Sequence, residues 1–188
     1  MAEESKKVDK QRRMLLSAGI CGCVGAALGA RIEHVKAAAT ASAGDTLVHF
    51  QGDNEGQPID PTNLAPLEPV LARPRASSGE IREGTENIIT VIRVPAGELD
   101  SGLEDMAAGD VVAVSAVCTH QGCLVSDVGT FGTAEGKLAC TCHGSIFEPR
   151  LGGERVAGPA KRGLPMLPIT LESDRLVATA GFTGKVGP

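Results

Sequence analysis

Tryptophan and tyrosine are absent from the 188 residues, and four phenylalanines hold the aromatic content at 2%. A core without large rings has to be filled by Val, Ile, Leu and Ala, and no phenol hydroxyl is available anywhere as a donor. Positive charge is scarce in the body of the chain. Residues 1–43 carry seven Lys/Arg against four Asp/Glu, whereas 44–188 carry eleven against nineteen, a balance of −8 within a net charge of −5. An acidic body gives no support to nucleic-acid binding; it suits a basic partner or simply a solvated face. Long apolar runs are missing apart from Met14 to Ala30, uncharged for seventeen residues but rich in Gly and Ala. That stretch is weakly hydrophobic and at the short edge of what spans a bilayer. There is no internal repeat. With 24 glycines and 11 prolines, the composition favours short strands and many turns over long helices.

What is present is concentrated. Four of the six cysteines and two of the four histidines fall in Cys118-Thr-His120-Gln-Gly-Cys123 and Cys140-Thr-Cys142-His143-Gly-Ser145, sixteen residues apart. Thiolates with imidazoles suit zinc, copper or iron–sulfur centres, and neither segment holds the carboxylates that a hard cation would want. Structural zinc knuckles take their ligands at Cys-x(2–4)-Cys and His-x(3–5)-His spacings, while here each half mixes the two residue types. A soft-metal site is the expectation, with zinc and iron–sulfur both open.

The double motif resembles that of Rieske iron–sulfur proteins, in the disulfide-containing branch found in quinol-oxidising cytochrome bc complexes. The match is close over residues 118–147 and looser at Gly158-Pro159-Ala160, which resembles the family's proline loop over the cluster. The resemblance implies one [2Fe-2S] cluster per chain, held by Cys118, His120, Cys140 and His143, with Cys123 and Cys142 paired in a disulfide. It also implies a hydrogen bond from Ser145 to a bridging sulfide, a donor that stabilises the reduced cluster and raises its potential. Two residues later many bc-type relatives carry a tyrosine; Phe147 stands there in this chain, and a lower potential is expected. The fold implied is all-β, a mostly antiparallel Rieske-like sandwich with a small two-loop cluster-binding subdomain.

Read in order, the chain begins with a polar segment ending in Arg12-Arg13 directly before the uncharged stretch, which resembles a twin-arginine export signal. Residues 1–36 are expected to be a signal or membrane-anchor helix, in which Cys21 and Cys23 serve as small apolar residues. Residues 37–44 are expected as a hinge or cleavage region, and 45–188 as the Rieske domain, its cluster-binding part at about 117–163. Thr46 to Phe50 is an expected strand. Between Gly52 and Asn87 five prolines predict an extended surface connection, with any strand confined to an edge and 73–84 most mobile. Residues 87–94 and 110–117 read as buried strands, the second delivering Cys118. A helical turn is expected near 103–107, a surface turn at 126–136, a short strand at 137–139, and a hairpin at 166–180 around Ser173-Asp174. The tail 181–188, with three glycines, is expected to be loosely ordered. His34 and His49 have no ligand-spaced neighbours.

The function implied by the resemblance is one-electron transfer. In a quinol–cytochrome c reductase, cytochrome b and a c-type cytochrome would be partners, and His143 would accept a hydrogen bond from quinol. The cluster domain would then lie on the periplasmic side of a bacterial cytoplasmic membrane. Two alternatives belong to the same family: the Rieske small subunit of a periplasmic molybdenum oxidase of the arsenite oxidase kind, and a free-standing exported carrier. A zinc-stabilised scaffold is the non-redox alternative.

Overall fold

Two β-branched runs form the wall on which everything else is built. In the computed structural model, which describes residues 40–188, they are β3 (Ile89–Arg93) and β4 (Val111–Ser115). Their alternate residues face two different cores. Ile89, Val91, Val111 and Ala113 belong to one buried cluster, while Ile92, Val112 and Val114 belong to a second that also contains Cys118, Cys140 and Phe147. Burial on both faces explains why these strands read as nearly unbroken apolar runs instead of alternating ones.

The remaining strands are β1 (Thr46–His49), β2 (Val70–Arg75), β5 (Asp127–Val128), β6 (Leu138–Cys140), β7 (Ser145–Glu148), β8 (Glu154–Ala157), β9 (Ile169–Glu172) and β10 (Arg175–Ala178). A six-stranded sheet runs β4-β3-β2-β1-β10-β9 and a four-stranded sheet runs β5-β6-β7-β8. Every ladder in them is antiparallel. The described residues are therefore all-β, as expected, and their only helical segments are short 3-10 turns, including Ser101–Met106 near the expected helical turn. Among them no helix is long and apolar enough to cross a membrane. Arg12, Arg13, Cys21, Cys23, His34 and the expected signal or anchor helix lie outside the described residues.

Three expectations need correction. The proline-rich stretch is not only a surface connection, because it contributes β2 to the interior of the larger sheet. Pro74 is tolerated because β3 pairs only with Val70, Leu71 and Ala72, and Pro74 lies beyond that ladder. Opposite Leu47, its carbonyl turns away from β1 and accepts from the Arg82 N–H at 2.8 Å. On that side the strand faces only the short 80–82 segment, which bridges to it at Arg75–Ile81, so the missing N–H forgoes no bond to β1 or β3.

Nor is the 73–84 segment loose. The Arg73 guanidinium stacks 4.6 Å from the Phe50 ring centre and pairs with Glu83. Arg82 grips the buried Asp45 with two bonds of 2.5 and 2.9 Å. The tail is also held: Thr183 exchanges two hydrogen bonds with the Met166 backbone, at 2.8 and 3.0 Å, and Arg162 donates to the carbonyls of Lys185 and Gly187.

The expected hinge or cleavage region is described only from residue 40, and that part is fastened. Ala41 is 3% exposed and donates its N–H to Asn87 Oδ1 at 3.0 Å. Asp45 accepts from the Ser42 N–H at 2.8 Å and anchors Arg82.

Candidate metal centre

Both cysteine-rich segments are tips of hairpins. The chain leaving β4 pairs Val117 with Leu124, and the Cys118 N–H donates to the Cys123 carbonyl at 2.8 Å. The second tip joins β6 to β7, whose last pair is Cys140 with Ser145. Each tip turns through a glycine four residues after its first cysteine. Gly122 donates to the Cys118 carbonyl and Gly144 to the Cys140 carbonyl, both at 2.9 Å, with φ of +80° and +74°. A side chain there would strain the left-handed turn, which explains the Gly in each motif.

These turns bring the two free cysteines together and, separately, the two histidine rings. Cys118 and Cys140 are buried free thiols, hydrogen-bonded to each other. Burial pushes the Cys140 thiol upward, and its bond with Cys118 adds to this, while the N–H groups of Cys142 and His143 donate to its sulfur and act in the opposite sense. The His120 and His143 rings meet edge to face, centroids 4.9 Å apart at 88°. His143 is exposed and His120 half-buried, yet His120 Nδ1 is buried without a hydrogen-bond partner. Leaving such a nitrogen unsatisfied costs about 1–3 kcal/mol. Two soft sulfurs and two imidazoles, one with an orphaned lone pair or N–H, fit a metal centre of mixed Cys/His ligation.

Cys123 and Cys142 form the expected disulfide, joining the two tips across nineteen positions of sequence. A bridge closing a loop of this size contributes about 3 kcal/mol. The sulfurs of Cys123, Cys140 and Cys142 all lie within 4.8 Å of one another, but the bridge occupies two of them and leaves Cys140 to its pairing with Cys118.

The 158–163 loop braces both tips. A Cβ at Gly158 would stand 2.3 Å from the Gly144 carbonyl oxygen, so only hydrogen fits. The Ala160 N–H donates to Ser145 Oγ at 3.1 Å, and the Thr119 hydroxyl donates to the Arg162 carbonyl at 2.7 Å. Since Ser145 accepts from Ala160, its own O–H proton remains to be given elsewhere. Phe147 is fully buried among Cys118, Cys140 and Leu138, and Pro159 is exposed at the crest of the loop. His49 sits on β1 of the larger sheet, away from both tips.

The sequence reading missed three contributors. Thr119 lies inside the first motif, but its identity alone does not disclose a partner 43 residues later. Arg162 follows the proline loop with no motif signal. Arg150 bonds Glu98 at 2.5 Å, Glu148 at 3.0 Å and the Gly136 carbonyl at 3.1 Å, clamping the four-stranded sheet to the loop after β3.

A family model for the Rieske [2Fe-2S] domain matches residues 75–168. The chain is 39% identical over 140 residues to the putative respiratory nitrate reductase subunit Rieske of Haloferax mediterranei, covering 72% of this chain and 59% of that protein. It is 37% identical over 111 residues to the cytochrome bc1 complex Rieske iron-sulfur subunit of Corynebacterium diphtheriae, covering 56% of this chain and 27% of that one. The soluble domain of the Rieske protein II from Sulfolobus acidocaldarius aligns at 25% identity and a TM-score of 0.40, covering 54% of this chain and 65% of that structure. The chain thus spans less than two thirds of each of these relatives.

Proposed function

The chain belongs to the Rieske [2Fe-2S] family, and from that premise we propose that it is the iron–sulfur subunit of a bc-type quinol–cytochrome c reductase. Its cofactor is a [2Fe-2S] cluster, which when bound supplies one-electron redox chemistry. The remaining work falls to the chain's own groups.

Cys118, His120, Cys140 and His143 are the proposed ligands. Two observations support this: the buried free thiols of Cys118 and Cys140 bond to each other, and the imidazoles of His120 and His143 meet edge to face, one of them holding an orphaned buried Nδ1. Both thiols must lose their protons to act as ligands. For Cys140 the N–H donors of Cys142 and His143 offset part of what burial costs the thiolate. Ser145 keeps its O–H free to donate, and the 158–163 loop braces both tips through Ala160 and Arg162. His143, exposed at its tip, accepts the hydrogen bond of a quinol hydroxyl at its outward ring nitrogen and holds the proton released on oxidation. Cytochrome b is the proposed docking partner and a c-type cytochrome the acceptor. Residues 1–36 act as an exported signal or anchor, placing the domain on the periplasmic side. The hinge ends at Thr40, because Ala41 is already fastened to the body.

A second reading is supported by the Haloferax relative, which matches a longer part of this chain than the Corynebacterium one. In it the subunit passes electrons within a different respiratory enzyme. The deciding experiment is a reduced-minus-oxidised optical spectrum, with subunit identification, on the protein purified with its partners from gently solubilised membranes. Haem b co-purifying with the chain supports the bc reading, whereas a large haem-free subunit in its place overturns it in favour of the second. His143→Ala is expected to lose the reduced-state paramagnetic signal and His49→Ala to keep it.

A further inference from the structure

Four basic residues, Arg155, Lys161, Arg162 and Lys185, gather at the two hairpin tips. Arg155 donates to the Gly158 carbonyl at 3.2 Å, and Gly158 lies against Gly144 of the second tip. The Arg162 carbonyl accepts from Thr119 of the first tip, while its guanidinium donates to the carbonyls of Lys185 and Gly187. Lys161 is exposed between Arg162 and Ala160, whose N–H bonds Ser145. Lys185 donates to the Pro188 carbonyl, and the Pro188 ring stands 3.8 Å from where a Cβ on Gly122 would be.

None of the four has a carboxylate partner. Among the described residues the ion pairs use Arg73, Arg82, Lys137 and Arg150 instead. Nor do the segments that build this end supply an acid: 117–125, 140–147, 155–163 and 184–188 together hold these four Lys/Arg and no Asp or Glu. The remainder of 44–188 holds seven Lys/Arg against nineteen Asp/Glu. The metal end is therefore a pole of +4 on a body of −12. Salt screens charges beyond roughly 8–10 Å, so a partner close to the tips meets the local sign and not the net one.

We propose that the protein which takes the electron at these tips docks through an acidic face, its carboxylates meeting Arg155, Lys161, Arg162 and Lys185 beside the exposed His143. Net charge alone points to a basic partner; the distribution of charge reverses this at the end where exchange occurs. The surface rests on the placement of charges, and its use in electron transfer rests on the cluster being held at the tips as proposed above. Attraction at the tips and repulsion from the rest of the body together orient an acidic face toward His143, an effect on association rate more than on affinity. Anionic lipid headgroups match the sign, but they offer no electron acceptor.

Stopped-flow oxidation of the reduced, cluster-loaded full chain by two small oxidants reads the sign at the tips. Ferricyanide is a trianion and tris(phenanthroline)cobalt(III) a trication, and each takes one electron per cluster. Between about 10 and 200 mM salt the ferricyanide rate is expected to fall about tenfold and the cobalt rate to rise. Lys161→Glu should cut the low-salt ferricyanide rate about threefold, whereas Arg175→Glu, the same charge change at an exposed position of β10, should leave it unchanged. Hexaglutamate, standing in for an acidic protein face, gives a readout independent of electron transfer: carbodiimide should couple it to Lys161 and Lys185 at low salt and not at about 200 mM, as mass spectrometry of the peptides shows. A ferricyanide rate that rises with salt, following the net charge, overturns the proposal and leaves the cluster reading intact. A purified chain with no oxidisable cluster overturns that reading, and the electron-exchange role with it. Binding to phosphatidylglycerol vesicles that Lys161→Glu abolishes, with no hexaglutamate coupling, gives the surface to lipid and overturns the protein partner.

Discussion

Gly158→Ala tests the close contact between the 158–163 loop and the second hairpin tip. The added Cβ would sit 2.3 Å from the Gly144 carbonyl oxygen, 2.5 Å from Ser145 Cα and 2.8 Å from the Gly144 carbonyl carbon. All three are backbone atoms, so no side chain can rotate away. The residue also adopts φ of +87°, where an L side chain costs about 1–2 kcal/mol. Overpacking relieved by backbone movement adds about 1–3 kcal/mol. A total near 3 kcal/mol lowers the melting temperature by about 6–12 °C in a chain of this size. The loop must also retreat from Gly144, and this takes the Ala160 N–H away from Ser145 Oγ. Thermal unfolding of the cluster-free chain, followed by far-ultraviolet circular dichroism, measures the first effect, and the half-life of the visible absorption in the loaded protein measures the second. A melting temperature within about 1 °C of the parent's, with unchanged cluster half-life, would refute the close packing of Gly158 on the second tip.

Arg82→Met leaves the Asp45 carboxylate, 2% exposed, without its bidentate partner. Since the guanidinium itself is partly solvated, we expect a loss of about 2–3 kcal/mol and faster proteolysis near Ala41; urea titration and limited digestion measure both. Phe147→Tyr adds a hydroxyl in the core beside Cys118 and Cys140. A hydrogen bond of about 0.5–1.5 kcal/mol to a cysteine sulfur raises the one-electron potential by about 20–60 mV, and potentiometry showing no upward shift refutes the role given to this position. Asp60 is held below its usual 3.8, first by the Thr62 hydroxyl and then by the Thr62 N–H. Its lowered folded value makes its contribution to stability present above 3.8 and lost as pH falls through that lower value. The melting difference between parent and Asp60→Ala should accordingly shrink under acid, and a difference that grows instead contradicts the Asp60–Thr62 bonds.

The cluster-binding half was legible because its chemistry is local. Cys118 to Cys123 and Cys140 to Ser145 specify donor types, turn glycines and spacing within a few residues, and the structure pairs Cys123 with Cys142, Cys118 with Cys140 and the His120 ring with that of His143. The buried wall of β3 and β4 was legible for the same reason, its β-branched runs being continuous. What escaped depends on partners far along the chain. Pro74 argues against an interior strand until the short β3 ladder shows where pairing stops. The tail's glycines suggest looseness until Arg162 is seen donating to Lys185 and Gly187. Neither arginine-to-carbonyl bond has any signature in sequence, because a backbone acceptor exists at every residue.

The wall of β3 and β4, with one core on each side, also limits how this architecture can be reused. Residues 117–163 look like a detachable cassette, two tips and a four-stranded sheet. Excised, however, they would abandon Ile92, Val94, Val112 and Val114, which complete the packing around Cys118, Cys140 and Phe147. A designer transplanting this centre into another scaffold must carry the wall with it or supply an apolar substitute of the same shape. By the same token the two layers share one cooperative fate. Heat that loosens the larger sheet strips support from the Cys118 and Cys140 thiols in the same transition, so if they hold the cofactor its loss reports unfolding of the whole domain instead of fraying at its tip.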